Sequence, residues 1–213
     1  MAAKKETYPA RFDIDYPEKL DRVTSFFRIF WSIPILIILS ALTSSGGQTF
    51  MHDAGRHATS SGGGIMSGLF VATVLMILFR QRYPRWWFEF ALELNRFATR
   101  VSAYMFLLTD RYPSTVDAQS VHLDIDYPNA KRDLKRWMPL VKWFLAIPHY
   151  IVLVVLILGA FGATVIAWFA ILFTGRYPKG LFDFVVGVSR WNVRVNAYAL
   201  LLVTDTYPPF SLK

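Results

Sequence analysis

The chain repeats itself. Phe12-Asp13-Ile14-Asp15-Tyr16-Pro17 returns as Leu123-Asp124-Ile125-Asp126-Tyr127-Pro128, and Ile77-Leu78-Phe79…Arg82-Tyr83-Pro84 returns as Ile171-Leu172-Phe173…Arg176-Tyr177-Pro178. Further matches fall in the same order: Arg28 with Lys142, Ile33-Pro34 with Ile147-Pro148, Phe88-Glu89-Phe90 with Phe182-Asp183-Phe184. Arg96 and Arg100 answer to Arg190 and Arg194, Tyr104 to Tyr198, and Thr109-Asp110 to Thr204-Asp205. Self-similarity at so long a period means two tandem copies of one unit, residues 8–113 and 120–209. The copies differ mainly in one place. Pro34 and Arg82 stand 48 positions apart, Pro148 and Arg176 only 28, and the excess is the Gly/Ser-rich stretch 43–64. Its composition predicts a flexible outer loop.

Each copy opens with strict alternation. Ala10, Phe12, Ile14 and Tyr16 share one face, with Arg11, Asp13 and Asp15 on the other; Val121, Leu123, Ile125 and Tyr127 repeat this against His122, Asp124 and Asp126. That is a short half-buried strand ended by proline. Two such strands are able to pair with each other.

An apolar block follows. Residues 137–173 carry a single charge, Lys142, over 37 positions. As one helix this block would reach about 55 Å, against roughly 30 Å of hydrocarbon. The spacing therefore predicts a helical hairpin, 138–158 and 161–174, broken at Gly159-Ala160-Phe161-Gly162. The first copy reads as the same hairpin, 24–42 and 65–80, opened by its loop.

The last element of each copy is a helix with a narrow polar stripe. Glu89, Glu93, Arg96, Arg100 and Tyr104 fall at helical spacing, as do Asp183, Gly187, Arg190, Arg194 and Tyr198. Threaded through a bilayer, its two arginines would cost about 2.5–3.5 kcal/mol each, so the expected position is flat in the interface. Charge agrees. With two spans per copy, all of the 23 Lys and Arg but Arg56 fall on one side of the membrane. The expected fold class is a mainly α membrane protein with four transmembrane segments. Each copy would consist of a short strand, a transmembrane hairpin and an interfacial helix, with both termini cytoplasmic.

Composition narrows function chiefly by exclusion. The absence of Cys removes disulfides, thiolate metal sites and Cys nucleophiles, and 54% hydrophobic residues remove disorder. The net charge of +8 in so apolar a chain points to anionic lipid and away from nucleic acid. Residues 1–25 show no short apolar leader core, and no Walker loop, G-x-S-x-G, H-E-x-x-H or dinucleotide fingerprint is present.

The string Trp143-Phe144-Leu145-Ala146-Ile147-Pro148-His149-Tyr150 is followed by Ala170-Ile171-Leu172-Phe173-Thr174-Gly175-Arg176-Tyr177-Pro178. Then come Leu181-Phe182-Asp183-Phe184, Arg190-Trp191, Arg194-Val195-Asn196-Ala197-Tyr198 and Tyr207-Pro208-Pro209-Phe210-Ser211-Leu212. This pattern resembles DUF4389, a bacterial membrane-protein family of unknown function. The second copy matches closely, while the first lacks the His-Tyr after Ile33-Pro34 and carries the loop. The resemblance implies a bacterial membrane protein and brings no catalytic residue, substrate or cofactor.

Candidate sites are few. Asp13, Asp15, Asp124 and Asp126 are paired carboxylates on a strand face. Their expected role is ion pairing with Arg96, Arg100, Arg190 and Arg194, which would dock strand on helix; metal binding is the weaker reading. His52, Asp53 and His57 lie in the Gly/Ser loop, where no fixed backbone holds a metal site. His149 sits early in an apolar helix, where snorkelling or hydrogen bonding explains it better than proton transfer. Arg28, Lys142, Arg82, Arg176, Trp86, Trp137 and Trp143 are expected at lipid headgroups, the first two by snorkelling. No catalytic, cofactor or metal residue is assigned. The expected function is a non-enzymatic inner-membrane scaffold or accessory subunit of a larger membrane complex, acting with a protein partner or as a homo-oligomer. The alternatives are a small oligomeric transporter or channel, and a lipid-modifying enzyme.

Overall fold

The computed structural model describes residues 8–43, 47–50, 58–61, 65–115, 117 and 119–213. The elements run β1 (Ala10–Ile14), α1 (Arg22–Thr43), β2 (Gly47–Phe50), β3 (Ala58–Ser61), α2 (Ile65–Leu75, continued by a π-helical turn Met76–Arg80) and α3 (Arg85–Met105). Then come β4 (Val121–Ile125), α4 (Ala130–Asp133), α5 (Met138–Leu145), α6 (Ile147–Thr174) and α7 (Lys179–Ala199). The molecule is mainly helical. Residues 43–64, expected as a loop, include the antiparallel pair β2–β3.

The two alternating segments pair with each other. β1 and β4 run antiparallel with Ala10 opposite Ile125 and Ile14 opposite Val121. Both show the same burial alternation, so the apolar residues face inward and Arg11, Asp13, His122 and Asp124 face out.

Two helical layers stack behind that sheet. α7 packs on β1 and α3 on β4, so each strand is covered by a helix from the other half of the chain. Beneath α3 and α7 lie α1, α5 and α6. One core draws on both halves, from Phe12 and Leu123 through Val185 and Val188 to Ala163 and Ile171. Residues 8–113 and 120–209 therefore interlock.

Two expectations need correction. The second apolar block holds no hairpin: α6 runs unbroken through Gly159 and Gly162. The break comes earlier, at Ala146, where Pro148 opens the new helix. Gly159 instead makes room for the Phe184 ring of α7, which a Cβ there would meet at 3.5 Å. Second, α3 and α7 do not lie open in an interface. They are sandwiched, and α7 buries Val185, Val186, Val188, Trp191, Val195 and Tyr198.

Contacts along α3 order its partners. Arg28 of α1 meets Tyr104, Ile35 clusters with Phe97 and Val101, and Thr73 of α2 accepts from Trp87 Nε1 at 2.9 Å. α1 and α2 thus lie end to end, antiparallel to α3. α5 and α6 follow α7 in the same manner, through Lys142 with Thr204, His149 with Trp191 and Gly159 with Phe184. Two helices, Arg22–Ala41 and Ile147–Thr174, are long and apolar enough to cross a membrane.

Candidate functional site

The charged groups cluster in three places, and the contacts come in pairs. On the outer face of the sheet, Arg11 bridges Asp124 (2.5 Å) and Asp126 (2.7 Å), and His122 Nε2 lies 3.1 Å from Asp15. Hydrogen bonds that Arg11 donates to Asp126 first, then Asp124, hold its guanidinium above its ordinary range. All these groups are well exposed, so the pairs contribute little stability.

Where helix meets strand, main chain replaces the expected carboxylates. Arg96 Nε donates to Leu123 O and Arg190 Nε to Phe12 O, both at 3.0 Å and both across halves. Arg190 also reaches Asp13 at 3.1 Å, while Arg96 pairs with Glu93 on its own helix. Arg100 donates to Ser114 O, and Arg194 to Ser211 O and Lys213 O. Of the four expected arginines, only Arg190 meets one of the strand aspartates; Asp124 and Asp126 belong to Arg11.

Arg28 and Lys142 overturn the snorkelling expectation. Both point inward, Arg28 3% and Lys142 0% exposed. Arg28 donates to Tyr104 O (2.8 Å), Thr109 O (2.7 Å) and Asp110, with its guanidinium 4.4 Å from the Tyr104 ring. Lys142 donates to Thr204 O (2.7 Å), pairs with Asp205 (2.7 Å) and stands 5.3 Å from the Tyr198 ring. The chain turns toward each cation through a leucine in the left-handed region, Leu107 (φ +62°) or Leu202 (φ +58°). A non-glycine residue is held there only when its surroundings fix it. In each half the aspartate also caps a distant backbone N–H, Asp110 that of Asp21 and Asp205 that of Lys135. These are structural clamps. The other residues expected at headgroups, Arg82, Arg176, Trp86, Trp137 and Trp143, lie at the surface.

His149 is fully buried and held in an aromatic box. Its Nδ1 accepts from Trp191 Nε1 at 3.1 Å, and its ring stacks on Phe210 at 4.0 Å beside Tyr207. Two other buried phenols mark the junctions after the long helices: burial pushes Tyr83 and Tyr177 up to about 12. Their backbone carbonyls are tied to the opposite half, Tyr177 O accepting from Tyr16 (2.5 Å) and Tyr83 O from Tyr127.

A cleft of about 180 Å³ opens between α3 and α7, bounded by Phe12, Leu123 and Ile157. Asn95, Thr99 and Ser102 line one wall; Ser189, Asn192 and Asn196 line the other. The sequence reading followed the arginines and missed these residues. Their signal was available: Asn95 and Ser102 sit at the same repeat positions as Ser189 and Asn196, at one-face helical spacing. No cluster of three metal-ligating side chains occurs among the described residues, and His52, Asp53 and His57 lie outside them.

Residues 136–211 match the model of DUF4389, a domain of unknown function. That segment, about a third of the chain, is similar to the DUF4389 family. It covers α5, α6 and α7 with the Lys142 clamp and the His149 box, so the resemblance read from the sequence holds there. No curated protein and no solved structure matches the chain.

Proposed function

We propose that the chain is a non-enzymatic, lipid-embedded scaffold or accessory subunit of a larger complex in the bacterial cytoplasmic membrane. It consists of two tandem copies about a pseudo-twofold axis, with both termini on the cytoplasmic side. One observation carries the reading: α1 and α6 are inside-out. Their buried stripes are mostly small or polar, Ser25, Arg28 and Ser32 beside Ile35 in α1, and His149, Ala160, Ala163, Thr164 and Ala167 beside Leu153 and Ile171 in α6. Their outward stripes are large and apolar, Val23, Phe26, Phe30 and Ile37 in α1 and Ile151, Val154, Leu158 and Phe169 in α6. Water penalises that arrangement and hydrocarbon favours it. The matched contacts of Arg28 and Lys142, and of Arg96 and Arg190, support the duplication. The buried cations Arg28, Lys142 and Arg194 are all taken up by internal contacts, which supports a structural role over a reaction.

Extraction in mild detergent, with identification of stoichiometric companions, tests the proposal. A defined partner is expected; a lone monomer that retains only lipid would overturn the scaffold reading. The Asn- and Ser-lined cleft favours one other role, a small oligomeric transporter or channel. Solute flux in proteoliposomes, lost on N192L and N196L, would put that role first.

A further inference from the structure

We infer that the apolar layer formed by α1, α2, α5 and α6 lies parallel to the membrane plane, sunk into one anionic leaflet, and does not cross the bilayer. The inference rests on the lipid-embedded reading above and specifies its geometry.

The argument begins with where the helix ends fall. Leu20 N donates to Gly175 O at 2.9 Å and Trp168 Nε1 to Ser25 O at 3.1 Å, so the start of α1 lies beside the end of α6. At the other extremity, Tyr127 is bonded to Tyr83 O, and Gln81, Arg82 and Arg85 border one recess with Asn129 and Lys131. The two apolar rods are therefore antiparallel. Each extremity of the layer is cationic: Lys19, Arg22 and Arg176 at one, Arg82, Arg85 and Lys131 at the other. A transbilayer arrangement would place one of these groups outside, against the positive-inside rule. Lying flat, the layer keeps both on the cytoplasmic side, where anionic headgroups attract them.

Length points the same way. α6 alone, Ile147–Thr174, is about 42 Å long and would need a tilt of about 44° to fit roughly 30 Å of hydrocarbon, outside the usual 0–40°. The layering agrees. The face farthest from the apolar rods is the outer side of the β1–β4 sheet, carrying Arg11, Asp13, Asp15, His122, Asp124 and Asp126, with Asp15 71% exposed. With the rods upright, that charged face would stand against lipid tails; with the rods flat, it faces the cytoplasm. The outward stripes of α1 and α6 then sit about 5–10 Å below the headgroup boundary.

The natural chain has no cysteine, so single-cysteine variants K19C, K131C and S60C can be labelled with an impermeant maleimide in spheroplasts and in inverted vesicles. All three are expected to react only in inverted vesicles. Spin labels at F30C, L158C and F173C are expected at one common shallow depth. Labelling of K19C and K131C from opposite sides, or of S60C alone from outside, overturns the inference while leaving the membrane scaffold standing. Disulfide cross-linking through L158C would assign the face to a second copy and also overturn it. Failure of the purified protein to float with phosphatidylglycerol vesicles would remove the lipid-embedded reading itself.

Discussion

The apolar rod of the first half and that of the second lie along equivalent partners, yet α1 and α2 are parted by β2–β3 while α6 is unbroken. The clamps differ too. Arg28 answers an aspartate 27% exposed and holds two carbonyls besides, whereas Lys142 is wholly buried against Asp205, 14% exposed. The C-terminal tail crosses α7 at Gly187, where the first half has Glu93. The first half carries the extra β2–β3 segment and a clamp with more than one anchor. The second is continuous and tighter, with less tolerance at each position.

Asp205→Ala should break this comparison most clearly. It strands a buried ammonium, and the loss of such a partner costs about 3–5 kcal/mol. Asp110→Ala should cost less, because Arg28 keeps its carbonyls; thermal unfolding in detergent ranks the two. Gly187→Ala comes next. Its Cβ would sit 2.9 Å from Leu212 O, and displacing that backbone should cost about 1–3 kcal/mol and speed proteolysis of the tail, whereas Glu93→Ala should leave the tail untouched. Deletion of residues 44–63 should change stability by about 1 kcal/mol or less, since it converts the first rod into the uninterrupted form of the second. Aggregation of that variant would show that α1 and α2 cannot be joined in line. Asp13→Asn should have the smallest effect, under about 1 kcal/mol, because its bridge to Arg190 is exposed.

Much of the fold was legible. Period-two alternation located both strands, and their pairing followed from the shared apolar face. The polar stripes located α3 and α7 because an amphipathic pattern has a definite phase. α6 had no such phase: nearly every residue from 147 to 174 is apolar, so periodicity could not distinguish one helix from two. Gly159 and Gly162 were then read as a break, although packing against Phe184 accounts for Gly159. The buried cations were hidden for a related reason. A lone Arg28 or Lys142 near a helix end suits snorkelling and clamping equally, and only the left-handed turns at Leu107 and Leu202 bring the carbonyls and aspartates to them. The cleft was overlooked because Asn, Ser and Thr at mid-helix carry no charge to draw notice.

The cross-covering of the two strands bears on how the protein can be made. β1 leaves the ribosome well before its hydrogen-bonding partner β4 and before its covering helix α7. α1, long and apolar enough to cross a membrane, is complete before either exists. The nascent chain must therefore hold an unfinished sheet edge and a bare apolar strand face until α7 emerges, and a ribosome that stalls before Lys179 leaves a polypeptide with no means of closing.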